Sequence, residues 1–158
     1  MATAWVITVS DRCARGEAED LSGPALEDLL RRNAVEIAGR LLVPDEADEI
    51  RAALAQAIAA GAKLVVTTGG TGLSERDVTP QATAALLDYE VPGLAEEMRR
   101  AGAAKTPNAL LSRSLAGVRG RTLILNLPGS VAGATESLQA ILPALDHALR
   151  LLAGDSRH

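Results

Sequence analysis

The sequence has very few aromatic residues, with one Trp, one Tyr and no Phe in 158 residues. Its core must therefore be built from Ala, Leu, Val and Ile, which suit close packing of helices on a sheet. Proteins that bind single-stranded nucleic acid stack bases on rows of aromatic side chains. The net charge of -4 and the pI near 5.2 also lack the basic excess of a nucleic-acid binder. Both features argue against that function.

Cysteine and long apolar runs are equally scarce. Cys13 is the single cysteine and cannot form an internal disulfide, which is typical of a reducing compartment. No apolar run reaches the length of a membrane span, and the opening MATAWVITVSD lacks the regions of a signal peptide. With 47% hydrophobic and 23% charged residues, the chain is predicted to be one cytoplasmic globular domain over residues 1–158.

Short apolar runs alternate with helical patterns along the chain. The runs predict buried strands at Ala4–Val9, Val35–Val43, Lys63–Thr68 and Thr122–Leu127. Between them we predict a helix capped by Ser22, a helix that ends near Gly61, and a last helix carrying the leucines from Leu138 to Leu152. This alternation favours an α/β fold with a mostly parallel sheet covered by helices on both faces.

The segment Leu110–Leu127 departs from that alternation. It predicts two strands around a turn at Arg119-Gly120, and therefore a hairpin or an antiparallel part of the sheet.

Polar residues follow each predicted strand. The clusters are Ser10-Asp11, Pro44-Asp45, Thr68 to Gly72, and Asn126 to Ser130. Because ligands of open α/β sheets bind at the carboxyl ends of the strands, near a topological switch point, we expect these clusters to converge on one site.

The densest of these clusters is TTGGTG, in which Gly69, Gly70 and Gly72 let the backbone approach a ligand and turn its N–H groups into an anion-binding concavity. The hydroxyls of Thr68 and Thr71 add donors. The pattern matches neither the Walker A motif nor the dinucleotide fingerprint. An isolated GGTG would more often be a simple turn that ends a strand.

Two carboxylates, Asp45 and Asp77, are predicted to share a pocket with this loop. Beside bound phosphate they would repel the ligand unless a hard cation lay between them, and Mg²⁺ is bound in this manner. The alternative for Asp45 is a helix N-cap, and for Asp11 a cap or turn residue. Cys13 lacks a nearby histidine, and His147 and His158 are predicted to lie on a solvated helix face and a tail. With no nucleophile–base pair in the sequence, the chemistry that remains is the positioning of a phosphate group and the neutralisation of its charge, as in phosphoryl and nucleotidyl transfer.

These residues resemble the molybdopterin adenylyltransferases of the MogA/MoaB type, which include the N-terminal domain of gephyrin. The resemblance rests on VSDRCARGEAEDLSGPAL, VPDE, TTGGTGLSERDVTPQAT, VPGLAEEMR and LSRSLAGVRGRTLILNLPGS, in the family's order. It implies a three-layer α/β/α domain that forms homotrimers and belongs to molybdenum cofactor biosynthesis. It also implies adenylylation of molybdopterin by Mg-ATP with release of pyrophosphate, and contact with other proteins of the pathway.

The resemblance also implies roles for particular residues. Asp45 and Asp77 match aspartates that act in catalysis through magnesium. The residues that match nucleotide- or molybdopterin-binding positions are Ser10, Asp11, Thr68, Gly69, Gly70, Thr71, Gly72, Ser112, Asn126, Pro128 and Gly129.

One departure concerns the residues after NLPGS, where many relatives carry Pro-Lys or Thr-Lys and this chain has Val131-Ala132. Arg76, Arg113 or Lys105 could supply the missing cation. A MoaB-like protein that binds molybdopterin or a nucleotide without turnover is the alternative function. A dinucleotide-dependent oxidoreductase is a third, supported only by analogy of fold.

Overall fold

The order of strands and helices follows the apolar runs of the sequence. The computed structural model describes residues 2–155, so the prediction for His158 lies outside the described residues. The strands are β1 (Thr3–Val9), β2 (Glu36–Val43), β3 (Leu64–Thr68), β4 (Tyr89–Glu90), β5 (Ala116–Arg119) and β6 (Thr122–Leu127). The helices are α1 (Asp11–Ala14), α2 (Ser22–Arg32), α3 (Ala47–Ala59), α4 (Thr79–Ala84), α5 (Pro92–Ala103) and α6 (Val131–Leu152), with a 3₁₀ helix at Pro107–Leu111.

The strands form one sheet in the order β2-β1-β3-β6-β5-β4. The first four strands in this order are parallel, and β5 is antiparallel to both β6 and β4. Thr8 of β1 lies beside Thr68 of β3, and Thr68 lies beside Leu127 of β6. This register places the carboxyl ends of three strands level with one another.

Helices cover both faces of the sheet. Ala4 and Val6 of β1 face the layer of α2, α5 and α6, whereas Ile7 and Val9 face the layer of α3 and α4. All five residues of β3 are buried, as expected for a central parallel strand. The predicted α/β/α arrangement with a mostly parallel sheet is confirmed.

The predicted hairpin is confirmed in part. Strands β5 and β6 pair around Gly120, whose φ of +59° suits the turn. The first strand begins only at Ala116, because Pro107 starts a 3₁₀ helix and the Thr106 hydroxyl accepts a hydrogen bond from the Asn108 N–H. The two-residue edge strand β4 was not predicted, since so short a segment carries no periodicity.

The prediction that Ser22 caps α2 is wrong. The helix begins at Ser22, and the carboxylate of Asp20 accepts the hydrogen bond from the Gly23 N–H at 3.0 Å. Ser22 is buried instead, with its Oγ 3.0 Å from Oγ1 of Thr68. The predicted end of α3 is confirmed, since Gly61 follows the helix with a φ of +84°.

Candidate active site at the switch point of the sheet

The chain reverses its direction of travel across the sheet at β1. Strand β2 lies on one side of β1 and β3 on the other, so the carboxyl ends of β1 and β3 form a topological switch point. A cavity of about 420 Å³ opens there. Its walls include Ser10, Cys13, Glu19, Asp20, Ser22, Asp45, Gly69, Gly70, Asp77, Gly129 and Ser130. The convergence predicted from the strand-end clusters is thus found.

Two further cavities continue from this one. One of about 450 Å³ shares Gly70, Asp77, Gly129 and Ser130 with the switch-point cavity. Another of about 250 Å³ contains Ser112, and Ser130 lines all three. Because they share these lining residues, the three cavities form one continuous trough.

The glycine loop touches its neighbours too closely for side chains. Gly69 and Gly70 have φ values of +105° and +70°, whereas Gly72 is not in the left-handed region. A Cβ on Gly69 would overlap the carbonyl oxygen of Val9, and one on Gly70 would overlap Oγ1 of Thr79. The same Cβ of Gly70 would lie 3.1 Å from Oδ1 of Asp45.

Thr79 sets the orientation of two peptide groups in this loop. Its hydroxyl donates to the carbonyl of Gly69 at 3.0 Å, and its N–H donates to the carbonyl of Gly70 at 3.1 Å. Thr79 is fully buried. Because a trans peptide points its C=O and N–H in opposite directions, the N–H groups of Gly70 and Thr71 face away from this buried threonine. That arrangement suits an anion held by the loop.

Two of the predicted binding residues play internal roles. The Thr68 hydroxyl donates to the carbonyl of Pro128 at 2.7 Å and is buried, so it is not a donor for a ligand. Asn126 is fully buried, and its Nδ2 lies 3.0 Å from the hydroxyls of Thr67 and Thr83. Both residues hold the strand ends together. Thr68 lies in the wall of the switch-point cavity with its hydroxyl already bonded to Pro128, whereas Asn126 is not part of that wall.

Asp11 and Asp45 bind each other's backbone. The Asp11 N–H donates to Oδ2 of Asp45 at 2.9 Å, and the Asp45 N–H donates to Oδ1 of Asp11 at 3.0 Å. The alternative in which Asp45 caps α3 is therefore not found, because Glu46 holds that N-cap position and the carboxylate of Asp45 binds the loop after β1. Asp11 is not the cap of α1 either, since Ser10 holds that position. This pairing fixes the loops that follow β1 and β2 against each other.

The electrostatic environments of these carboxylates differ. Burial raises the pKa of Asp45 above its ordinary value, and the negative charges of Asp11 and Asp77 raise that pKa further. Hydrogen bonds from Arg76 lower the pKa of Asp11. Asp77 lines the same cavity, and its Oδ2 accepts the Ser74 N–H at 3.0 Å. An acidic site with one destabilised carboxylate favours a bound cation.

The three side chains considered as replacement cations are already engaged. Arg76 binds both oxygens of Asp11, at 3.0 and 3.1 Å, and also contacts Glu46. Arg113 donates to the backbone of the glycine loop, and Lys105 pairs with Glu136 at 3.0 Å. Within the described residues, each of the three side chains named as a replacement for the missing basic residue thus already has a partner.

The loop before α2 reaches the cavity, although no strand-end pattern indicated it. Asp20 accepts hydrogen bonds from the Thr8 hydroxyl at 2.8 Å and from Arg40 at 2.9 Å. Gly23 permits the approach, because a Cβ there would lie 2.6 Å from Oδ2 of Asp20. The sequence carries only SGP as a helix start, which does not reveal that the preceding acidic residues fold onto β1.

The remaining predicted residues lie along the trough. Ser10 caps α1 by accepting the Cys13 N–H at 3.2 Å, and Cys13 is partly exposed beside it. The hydroxyl oxygen of Ser112 lies 2.8 Å from that of Ser114.

His147 is exposed on α6, as predicted, and does not line the trough.

Within residues 2–155, no group of three or more His, Cys, Asp or Glu side chains has the arrangement of a metal site. A hard cation held by Asp45 and Asp77 would complete its coordination with oxygens of water or of a substrate. In the same part of the chain, no helix is long and apolar enough to cross a membrane.

The sheet order, the glycine loop and the carboxylates of the cavity define an α/β domain with an acidic cavity beside a glycine loop at its switch point. The family model described as the probable molybdopterin-binding domain matches residues 5–147. The chain belongs to this family.

Individual relatives agree with that assignment. The chain is 40% identical over 154 residues to molybdopterin adenylyltransferase of Helicobacter pylori, covering 95% of this chain and 87% of the relative. It is 44% identical over 151 residues to the molybdenum cofactor biosynthesis bifunctional protein of Synechococcus elongatus, covering 96% of this chain and 47% of that protein. The chain thus spans about half the length, or less, of this relative and several others.

A solved structure extends the similarity to three dimensions. The molybdopterin biosynthesis enzyme MoaB from Thermus thermophilus superposes with a TM-score of 0.92 at 54% identity, covering 98% of each chain.

Proposed function

We propose that this protein is a molybdopterin adenylyltransferase of molybdenum cofactor biosynthesis, which uses ATP and magnesium. The observation that carries the proposal is the acidic cavity at the switch point, where the glycine loop meets Asp45 and Asp77. The Helicobacter pylori relative with that name covers nearly the whole chain. We also propose that it acts as a cytoplasmic homotrimer, in contact with other proteins of the same pathway.

In the proposed reaction, an oxygen of the terminal phosphate of molybdopterin attacks the α-phosphorus of ATP. A new P–O bond forms, the bond between the α-phosphorus and the bridging oxygen breaks, and pyrophosphate leaves. The N–H groups of Gly70 and Thr71 would bind phosphate oxygens, and the trough that contains Ser112 would take the pterin end. No general base or acid is assigned, because alignment and charge neutralisation dominate such transfers.

The carboxylates fit a hard cation. Oδ1 of Asp45 and Oδ2 of Asp77 lie beside the glycine loop, close to where Cβ atoms of Gly70 and Gly72 would stand. These two residues would hold Mg²⁺ together with phosphate oxygens. When bound, the ion neutralises charge on the transferring phosphate.

The test is pyrophosphate release from molybdopterin and Mg-ATP, with adenylyl-molybdopterin identified by mass spectrometry. We expect turnover by the native chain and none above a no-enzyme blank for Asp77→Asn, which keeps an oxygen for the Ser74 N–H. Asp146→Asn is the matched control, because Asp146 pairs with Arg150 on α6, away from the cavity. Molybdopterin binding without pyrophosphate release would instead favour the MoaB-like binding protein.

The acid limb of the pH profile tests the role of Asp45. Because burial raises its pKa, this residue takes up a proton at a higher pH than an ordinary aspartate. At limiting magnesium, we therefore expect activity to fall on the acid side above the usual titration range of aspartate. Saturating magnesium competes with the proton and should move the midpoint to lower pH. A midpoint that does not depend on magnesium would contradict the assignment.

A further inference from the structure

Arg113 makes three hydrogen bonds to the loop formed by residues 69–77. Its N–H donates to the carbonyl of Thr71 at 2.8 Å, its Nε donates to the carbonyl of Gly72 at 2.9 Å, and its Nη2 donates to the carbonyl of Asp77 at 2.7 Å. The side chain is partly buried. Arg113 therefore binds both the glycine loop and Asp77, which carries one of the carboxylates of the site.

The two side-chain hydrogen bonds use two different nitrogens of the guanidinium group. Gly72 and Asp77 are five positions apart, and the planar fork of arginine donates to both carbonyls at once. Between them, the N–H of Ser74 donates to Oδ2 of Asp77, and the N–H of Asp77 donates to the carbonyl of Ser74 at 2.9 Å. We call the two side-chain hydrogen bonds from Arg113 to the carbonyls of Gly72 and Asp77 the clamp. The clamp closes the segment 72–77 into a ring and thereby sets the direction of the Asp77 carboxylate.

The clamp also connects two walls of the trough. Arg113 follows Ser112, which lines the cavities farther from the switch point. The backbone there is itself fixed, because Nη1 of Arg99 donates to the carbonyls of Ser112 and Ser114, at 3.4 and 2.9 Å. The segment that carries Arg113 is therefore anchored independently of the glycine loop.

We propose that Arg113 is a positioning residue that holds the Asp77 carboxylate in place against the glycine loop. It donates to backbone carbonyls and makes no hydrogen bond to the carboxylate of Asp77, a residue that lines the cavity. The effect of Arg113 on the reaction rate rests on the proposed function. The hydrogen bonds that hold the loop do not depend on it. A displacement of about 1 Å in such a site can cost about 100-fold in rate.

The first experiment measures amide hydrogen exchange of peptides covering residues 70–78 by mass spectrometry. We compare the native chain with Arg113→Ala and Arg113→Lys, which keeps the charge but loses the fork. Arg121→Gln is the matched control, because Arg121 donates to the carbonyl of Ala153 at the opposite end of the strands. We expect faster exchange in residues 70–78 for both Arg113 variants, more for alanine than for lysine, and unchanged exchange in β1 and β3.

The second experiment measures turnover as a function of ATP and magnesium. Arg113→Ala should lower kcat by about 100-fold, raise the magnesium concentration for half-maximal rate, and leave KM for molybdopterin little changed. Arg121→Gln should behave as the native chain.

Two results would overturn the positioning role. One is unchanged exchange in residues 70–78, and the other is faster exchange spread through the core strands, which would indicate a general loss of stability. If the native chain shows no turnover, the proposed function fails, while the exchange data still decide whether Arg113 clamps the loop.

Discussion

Replacing Asp45 with asparagine is expected to lower turnover by about 1,000-fold, the scale of losing one key electrostatic contact to the transition state. The fold should be unaffected, because the asparagine oxygen can still accept the hydrogen bond from the Asp11 N–H. In the chain without bound ligand, the ionised Asp45 is disfavoured by burial and by the charges of Asp11 and Asp77. The residue is thus expected to serve function at the expense of stability.

The pH dependence gives the sign of that stability effect. The pKa of Asp45 is raised in the folded chain, so the folded state binds the proton more tightly than the unfolded state. Its contribution to stability is greatest at low pH and falls as the pH rises through the folded pKa. Asp45→Asn removes this loss, and its unfolding temperature should equal or exceed that of the native chain at neutral pH.

Differential scanning calorimetry of both proteins checks the prediction. The measurements run from about pH 4 to about pH 7, which covers the titration of a carboxyl group with a raised pKa. The difference in unfolding temperature should grow in favour of the variant as the pH rises. A variant that is active, or that loses stability increasingly toward neutral pH, would contradict it.

Replacing Gly69 with alanine is expected to destabilise the fold by about 3 kcal/mol or more. The new Cβ would overlap the backbone carbonyl oxygen of Val9. A backbone atom cannot turn aside as a flexible side chain can, so the ends of β1 and β3 would have to separate. A typical domain has only about 5–15 kcal/mol to lose.

Gly61→Ala is the matched control. Gly61 also has a positive φ, +84° against +105° for Gly69. Within the described residues, however, no atom beyond its own chain neighbours lies within 4 Å of its added Cβ. It should cost only the backbone strain, about 1 kcal/mol. Denaturant unfolding followed through Trp5, the single tryptophan, measures both variants at equal protein concentration. Equal losses would mean that backbone conformation, and not the close approach to Val9, makes glycine necessary at 69.

Local pattern was enough to predict most of the fold. Buried strands are continuous apolar runs, and helices repeat apolar residues every three or four positions, so β1, β3 and β6 were placed within one residue of their observed ends. Helix α5, the 3₁₀ helix before β5 and the short strand β4 were not predicted. The last two are too short to show a period.

The candidate site was predictable in its location but not in its bonding. The carboxyl ends of parallel strands meet at one edge of the sheet, and this rule alone predicts that Asp45, Asp77 and the glycine loop share a cavity, as the structure shows. It could not separate cavity residues from supporting ones. Asn126 is fully buried, and the hydroxyl of Thr68, although in the cavity wall, is already bonded to Pro128. Asp20 reaches the cavity from a loop that follows no strand of the sheet.

The sequence by itself determined which residues are available: an aliphatic core, a glycine loop after a buried strand, and carboxylates at the strand ends. These properties depend on neighbours a few positions apart. Only the tertiary structure decided how they are used, because Asp11 and Asp45 are 34 positions apart and Arg76 lies 65 positions from Asp11. Their meeting depends on β2 and β3 flanking β1, a strand order that no local pattern specifies.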